Sequence, residues 1–277
     1  MDMSWLESLL YGLVSGLTEF LPVSSQAHQA LLRKLFGVEP DSLANLMAHL
    51  GMLTALLTCC RGQIAKLRRE QRLAKIPKRR RKRQPDQRIL LDGRIIRTAL
   101  LPLLLGFLFY LKCAQWEQKL YLLSFFCILN GVILFLPALL PHGNKDSRSM
   151  SAMDGWLIGL GAAAAVLPGI SRTGVSGSVA AVRGADRQSA LNWVLLLSIP
   201  ALLVLVLFDG YGILAAKAFT MSVQLLLRVA LVWAASFGGA YTGIFILRFL
   251  AVNAGYSGFA YYSWGLALFT FILYLTT

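Results

Sequence analysis

Six stretches of this chain are long and apolar enough to cross a lipid bilayer as helices. They cover residues 42–60, 95–111, 120–144, 188–208, 229–247 and 249–277. About twenty apolar residues in a helix span the hydrocarbon core, and helices satisfy their own backbone hydrogen bonds there. Because 57% of the residues are hydrophobic and only 14% are charged, the sequence predicts an all-α integral membrane protein rather than a soluble domain.

Two further apolar segments, residues 5–32 and 155–182, are each interrupted by a Leu-Pro step. The residue before a proline is disfavoured in the helical conformation, so one helix should end at Leu21 and another at Leu167. Serines follow each break, where a new helix could begin. We therefore expect two re-entrant helix–loop–helix pairs, whose broken backbone is tolerated at membrane depth against protein or a water-filled cavity.

The order of these elements repeats along the chain. Residues from about 1 to 140 and from about 150 to 277 each contain one broken pair followed by spanning stretches. Threading the chain through a bilayer brings the first pair in from the outside and the second from the inside. This pattern indicates an inverted repeat, with a site near the membrane midplane where the broken helices meet. We expect a single polytopic domain over residues 1–277, with about six transmembrane helices and the two re-entrant pairs.

Basic residues cluster between the first two spanning stretches. Of the 27 Lys and Arg in the chain, 15 lie in residues 61–97, together with only 3 acids. The positive-inside rule predicts that this segment is a cytoplasmic loop. Residues 144–154, 183–187 and a turn at Arg248 then lie inside, and both termini lie outside. We expect the loop to contact anionic lipid headgroups, or to set the topology as a solvated loop, and not to bind nucleic acid.

Two other features carry less information. The N-terminus has Asp2 and Glu7 and no basic residue before Arg33, so no cleavable signal peptide is predicted. The four cysteines lack metal-ligand or redox spacing, so we expect them to pack as small apolar residues rather than to form a disulfide.

The first break carries ionisable and nucleophilic side chains. Glu19 lies one turn before the proline in an apolar segment, and a carboxylate at that depth indicates a functional site; the alternative is a structural ion pair with Arg172. Ser25 and His28 are three residues apart on one helix face. They could form an activated nucleophile or a general acid–base pair. In the alternative, Ser24 or Ser25 is a helix cap and His28 is an interior packing residue.

The second break is typical of a phosphate site. Arg172 offers a permanently charged, bidentate donor for phosphate oxygens. The N-termini of the restarting helices add a partial positive charge. Four hydroxyl side chains are further candidates to bind phosphate, namely Ser24, Ser171, Thr173 and Ser176. Elsewhere, His49 is expected to be a hydrogen-bonded packing residue or to line the pocket. Arg228 should extend towards the interface.

Both motifs resemble those of a known family. Residues 16–28 read GLTEFLPVSSQAH and residues 168–174 read PGISRTG, similar to the two signature motifs of the undecaprenyl-pyrophosphate phosphatase family, the bacitracin-resistance type. The resemblance covers essentially the whole chain. It implies hydrolysis of undecaprenyl pyrophosphate to undecaprenyl phosphate and phosphate, which recycles the lipid carrier for cell-wall synthesis and confers bacitracin resistance. It also implies a multi-pass protein of the bacterial inner membrane, with its active site on the periplasmic or external side.

The resemblance implies roles for individual residues. Glu19, Ser25, His28 and Arg172 match the family's catalytic positions, and Ser171 matches the serine beside the arginine. A divalent cation, Mg²⁺ or Ca²⁺, is implied, with Glu19 as its ligand.

This sequence also departs from the family pattern. Ser15 stands where the family has its first acid, which removes one expected cation ligand. Ser176 replaces a threonine but keeps the hydroxyl, and Gln26 and Ala27 replace a Thr-Gly pair.

Two other functions fit some of these features. A lipid-phosphate transporter or flippase would also use inverted broken helices, but it would not need a nucleophile or a base. A catalytically impaired paralogue that binds the lipid is the other alternative, because of Ser15. A homodimer is a further expectation.

Overall fold

The computed structural model describes residues 3–39, 41–81, 83–216, 222–253 and 255–276, and this part of the chain forms eleven α-helices and no β-strand. Predictions that involve Met1, Asp2, Lys82 and Thr277 fall outside the described residues. The helices are α1 (Trp5–Phe20), α2 (Ser25–Phe36), α3 (Ser42–Lys75), α4 (Gln87–Gly106), α5 (Tyr110–Ala114), α6 (Leu120–Phe135), α7 (Ala152–Ala163), α8 (Arg172–Val182), α9 (Arg187–Ala216), α10 (Val223–Asn253) and α11 (Gly258–Thr276).

Six helical segments are long and apolar enough to cross a membrane, and each contains most of one of the six predicted stretches. They are Ser42–Lys75, Gln87–Gln118, Leu120–Leu139, Arg187–Ala215, Val223–Ala251 and Gly258–Thr276. The prediction of an all-α, multi-pass membrane protein is confirmed at this level.

The predicted breaks are also present. Helix α1 ends at Phe20 and α2 begins at Ser25, on either side of the first Leu-Pro step. A short 3-10 helix, Ala164–Val166, ends the apolar run before the second step, and α8 begins at Arg172. Helices α1, α2 and α8 contain 16, 12 and 11 residues. Each is shorter than the roughly twenty residues that a full crossing needs.

The prediction that residues 61–97 form a loop is wrong. Helix α3 continues to Lys75 and α4 begins at Gln87, so the connection is short. The residues after Cys60 are mostly Arg, Lys, Gln, Glu, Leu and Ala, which favour helix even without apolar periodicity. With 34 residues, α3 is about 51 Å long, about 20 Å more than the hydrocarbon core requires.

The extended helix ends form a basic hairpin, residues 61–97, closed by one buried carboxylate. Glu70 accepts hydrogen bonds from the Arg83 guanidinium and from the Asp86 backbone N–H, the latter at 2.9 Å. Asp86 in turn caps α4 by accepting from Arg88 N–H at 2.9 Å. The basic residues are therefore held on a defined hairpin rather than on a solvated loop.

The turn expected at Arg248 also lies elsewhere. Arg248 is inside α10, and its guanidinium donates to the Cys59 carbonyl at 3.0 Å. The apolar residues after it extend the helix by more than a turn. The chain reverses at Gly255, whose φ of +78° suits a residue without a Cβ.

Helix α1 packs closely against α10 through glycines on both helices. On α1, Gly12 and Gly16 pack on the α10 backbone at Val232 and Ser236. On α10, Gly239 and Gly243 pack on the α1 backbone at Leu13 and Leu17, so each helix contributes a small residue every four positions. A Cβ at Gly16 would lie 2.2 Å from the Ser236 carbonyl oxygen. This close contact fixes the C-terminal end of α1, where Glu19 lies one turn further on.

Candidate functional site

The two breaks lie against each other. The Leu21 carbonyl accepts hydrogen bonds from the hydroxyls of Ser171 and Thr173, each at 3.3 Å. Asn130, on α6, accepts from Ser171 N–H at 2.9 Å and donates to the Pro22 carbonyl at 3.4 Å. These three backbone groups at the breaks are thus satisfied by protein, as broken helices require in a membrane.

Serines cap both restarting helices. Ser24 Oγ accepts from Ala27 N–H at 3.4 Å, and Ser171 Oγ accepts from Gly174 N–H at 3.2 Å. The cap reading of Ser24 is therefore confirmed. Ser24 has a φ of +62° and is the one non-glycine residue with positive φ in the described ranges. Such strain is often found at functional sites.

Glu19 connects the two breaks. Its carboxylate accepts one hydrogen bond from the Arg172 guanidinium and one from the Ser25 hydroxyl. The side chains of Glu19 and Arg172 are each only 8% exposed. The ion pair considered from the sequence is thus present, and the nucleophile candidate Ser25 joins it.

Arg172 retains an unused donor in this arrangement. Its Nε is buried and has no hydrogen-bond partner among the residues that the structure describes. An unsatisfied buried donor is unfavourable, and an anionic oxygen would satisfy it. Glu19 therefore uses only part of the hydrogen-bonding capacity of the guanidinium.

Glu19, Ser25 and Arg172 line one cavity of about 170 Å³. Ser25 and Gln26, at the start of α2, and Ser171, at the cap of α8, contribute to its wall. Two helix N-termini therefore border the cavity, together with a guanidinium, and this combination favours anion binding.

Residues that the sequence reasoning missed complete the cavity. Arg33 and Glu117 both line it and form a buried ion pair at 2.5 Å. His49 lines it too and pairs with Asp209 at 2.6 Å, so it is both hydrogen-bonded and pocket-lining. The available signals were weak: Asp209 directly follows an apolar stretch, and Glu117 lies in a short connection.

His28 does not contact the other predicted catalytic residues in the described part of the chain and is not among the residues that line the cavity. Its Nδ1 contacts the Ser24 carbonyl at 2.8 Å, and its Nε2 contacts the Tyr262 hydroxyl at 2.6 Å. The imidazole stacks on the Tyr262 ring, with 5.7 Å between the centroids. The expected Ser25–His28 pair is not formed, because the Ser25 hydroxyl points to Glu19 instead.

The other predicted phosphate-binding hydroxyls are bonded within the protein. Ser176 Oγ donates to the Arg172 carbonyl at 2.6 Å, one turn back along α8. Thr173 donates to the Leu21 carbonyl of the other break. The Ser176 hydroxyl thus bonds within α8, whereas the Thr173 hydroxyl links the two breaks. Of Ser171, Thr173 and Ser176, Ser171 lines the cavity.

The donor set does not fit a divalent cation held by the protein alone. Both Glu19 oxygens are engaged, by Arg172 and Ser25, and Glu117 is engaged by Arg33. The described residues contain no group of three or more His, Cys, Asp or Glu side chains placed to hold a metal ion. At the departure position, Ser15 Oγ is buried without a hydrogen-bond partner among those residues.

Comparison with known proteins places these residues in context. The sequence profile of the family described as "Bacitracin resistance protein BacA" matches residues 8–269. The chain is 31% identical to the undecaprenyl-diphosphatase of Carboxydothermus hydrogenoformans, over 98% of each chain. It is 30% identical to that of Methanobrevibacter smithii, over 98% of each chain. It is 28% identical to that of Thermosipho africanus, over 96% of this chain and 98% of the relative.

Proposed function

Because this chain belongs to the BacA bacitracin-resistance family, we propose that it hydrolyses undecaprenyl pyrophosphate to undecaprenyl phosphate and phosphate. The reaction recycles the lipid carrier for cell-wall synthesis and gives resistance to bacitracin. The observation that carries this assignment is the convergence of Glu19, Ser25 and Arg172 from both breaks on one buried cavity.

Arg172 and the two helix N-termini bind the terminal phosphate in this proposal. The Arg172 Nε is available to a phosphate oxygen, and the guanidinium can bind two oxygens at once. The N–H groups at the starts of α2 and α8 add donors without a mobile side chain. These groups are fixed before substrate arrives, so they stabilise the charge that develops on the phosphoryl oxygens during transfer.

Ser25 is the nucleophile, and Glu19 accepts its proton. The existing hydrogen bond from the Ser25 hydroxyl to Glu19 gives this proton a defined acceptor. When the phosphate engages Arg172, it competes with Glu19 for the guanidinium. The carboxylate is then released from the guanidinium and is free to take the Ser25 proton. Attack at the terminal phosphorus forms a phosphoserine and releases undecaprenyl phosphate, and water then hydrolyses the phosphoserine.

Phosphate release from purified protein in detergent tests this function against the alternatives. We expect one phosphate per undecaprenyl pyrophosphate consumed. A transporter or flippase would release no phosphate, since it needs neither a nucleophile such as Ser25 nor a proton acceptor such as Glu19. Binding of the lipid pyrophosphate without phosphate release would identify an impaired paralogue instead.

The chain lies in the bacterial inner membrane with its cavity open to the external side. Its two halves form an inverted repeat, and each half contains one re-entrant broken pair. Helix packing supports the repeat. Helix α1 packs against α10 and α7 against α4, so each broken pair meets the fourth helix of the other half. The third helices, α3 and α9, also pack together, as do the last helices of the two halves, α6 and α11.

Reporter fusions test the orientation. We expect a fusion at Arg79, in the basic hairpin, to report the cytoplasm and a C-terminal fusion to report the outside, because of the Lys and Arg bias. A fusion at Arg148, between α6 and α7, is the matched internal control and should agree with Arg79. If the Arg79 and C-terminal fusions report the same side, the threading and the inverted repeat are both wrong.

A divalent cation would have to be supplied together with the substrate, because both Glu19 oxygens are already engaged, and it would neutralise part of the pyrophosphate charge. Lipid headgroups contact the membrane-proximal part of the basic hairpin, and homodimerisation stays a prediction.

Replacing Ser15 by the family's acid tests whether that missing carboxylate is what the protein lacks to hold a cation by itself. Ser15 lies four residues before Glu19 on α1, so Ser15→Glu would place two carboxylates on one helix face. We expect the variant to bind Mg²⁺ or Ca²⁺ at least about tenfold more tightly, because a second carboxylate adds a ligand and charge. Direct cation titration by calorimetry measures this without relying on turnover. The control is Ser8→Glu, two turns earlier on the same helix. An unchanged titration in Ser15→Glu would show that this position does not contact the cation.

A further inference from the structure

Hydrolysis of a phosphoanhydride consumes one water molecule, and a group in the cavity must accept the proton that this water loses. We propose that His49, held in place by Asp209, is that group. The inference rests on the proposed function and adds a catalytic residue to it.

The contact with Asp209 fixes the imidazole of His49. Nδ1 of His49 lies 2.6 Å from Asp209 Oδ2, and the two side chains are 8% and 11% exposed. A carboxylate at this distance accepts a hydrogen bond from Nδ1–H. The neutral ring then carries its lone pair on Nε2. A buried carboxylate that orients a histidine in this way also stabilises the imidazolium once the ring takes a proton.

The other ring nitrogen is available to the cavity. Nε2 of His49 makes no hydrogen bond to any residue in the described ranges, while the side chain lines the cavity with Glu19, Ser25 and Arg172. Part of the wall is apolar, formed by Phe107, Leu205 and neighbouring residues. Because of this apolar wall, little bulk water competes with the neutral Nε2 for the proton of a water molecule bound in the cavity.

The other candidate bases are already committed. Glu19 is bonded to Arg172 and takes the Ser25 proton, and Glu117 is bonded to Arg33. His28 has contacts at both ring nitrogens and is absent from the described lining of the cavity. His49 is therefore the cavity-lining base with an unoccupied acceptor atom.

Each bond formed in the proposed hydrolysis is matched by a bond broken, and each proton has a donor and an acceptor. The water oxygen bonds to the phosphorus of phosphoserine, and His49 Nε2 takes one water proton. The P–Oγ bond breaks, and Ser25 Oγ recovers the proton that Glu19 accepted in the first step. His49 then returns its proton to the departing phosphate. If water attacked undecaprenyl pyrophosphate directly, His49 would take the same proton while the bridging P–O bond broke.

The test compares kcat and KM for undecaprenyl pyrophosphate in His49→Gln and Asp209→Asn. We expect kcat of His49→Gln to fall about 10²- to 10⁴-fold with KM within about twofold, as for loss of a general base. Asp209→Asn should also lower kcat at least about tenfold, because an amide donor would move the ring proton to Nε2. His142→Gln, an exposed histidine outside the cavity, is the matched control and should retain wild-type rates.

The pH profile separates proton transfer from a structural role. We expect the kcat of the wild-type protein to fall at acid pH. The residual kcat of His49→Gln should not show this fall. Glu19, Arg172, Arg33, Glu117, Tyr110 and Asp209 also face this region from the surrounding elements, and each is unchanged in His49→Gln.

Several outcomes would overturn the inference. They are a kcat of folded His49→Gln within about threefold of wild type, a loss confined to KM, or an unaltered acid limb. If His49→Gln does not fold, the same criteria apply to Asp209→Asn. An inactive wild-type protein would instead refute the proposed function itself.

Discussion

Arg172→Lys lowers kcat/KM for undecaprenyl pyrophosphate by about 100-fold or more, although the positive charge is kept. Lysine offers a compact ammonium in place of a planar fork, so it cannot bind two phosphate oxygens in parallel. It also lacks the Nε–H group that is unsatisfied in the structure. Removal of one preorganised donor to developing phosphoryl charge typically costs about 10²–10³ in rate.

Loss of the ion pair with Glu19 could by itself disturb the fold, so the measurement needs a control. Arg183 pairs with Asp154 away from the cavity, and its side chain is 44% exposed. Arg183→Lys changes the same chemistry at another site and should retain near-wild-type kcat/KM. Near-normal turnover of folded Arg172→Lys would reduce Arg172 to a structural partner of Glu19.

The charges around the cavity explain how the site can exist before substrate binds. Two cations line it, and each has a buried carboxylate partner: Arg172 with Glu19 and Arg33 with Glu117. The neutral His49 is paired with Asp209 in the same wall. Unpaired buried charges would be strongly destabilising. A pyrophosphate can therefore bind by replacing a carboxylate as the partner of a cation, rather than by filling an exposed positive pocket.

Local rules predicted the parts of the fold that depend on local chemistry. The Leu-Pro steps located both helix breaks, because pre-proline geometry acts on the residue itself. Uncharged runs located the six long helices, since the apolar character of a run is also a local property of the sequence. The same rules misplaced the helix ends, since the basic residues after Cys60 favour helix although they are not apolar.

Pairings across the fold could not be predicted in this way. His49 and Asp209 are 160 residues apart, and Arg33 and Glu117 are 84 apart, so no periodicity relates them. Local spacing was misleading for Ser25 and His28. They share a helix face, but His28 contacts Tyr262 on α11, and Ser25 contacts Glu19 across the break.

Ser25→Ala abolishes turnover, with a fall in kcat of at least about 10³-fold, if Ser25 is the nucleophile. Glu19→Gln should be similarly inactive, because the Ser25 proton would lose its acceptor. The double variant should be no worse than either single variant, since residues that act as one unit are not additive. Ser24→Ala is the neighbouring control. It removes a cap hydroxyl and should reduce stability more than kcat.

Trapping the intermediate gives the direct measurement. If His49 activates the water that hydrolyses phosphoserine, His49→Gln should release about one equivalent of undecaprenyl phosphate per enzyme and then stall. Mass spectrometry of the stalled protein should locate the phosphate on Ser25. Substantial turnover by Ser25→Ala would show that water attacks directly and that Ser25 is a phosphate-binding hydroxyl. In that case Glu19, freed from Ser25, would be left to orient the attacking water.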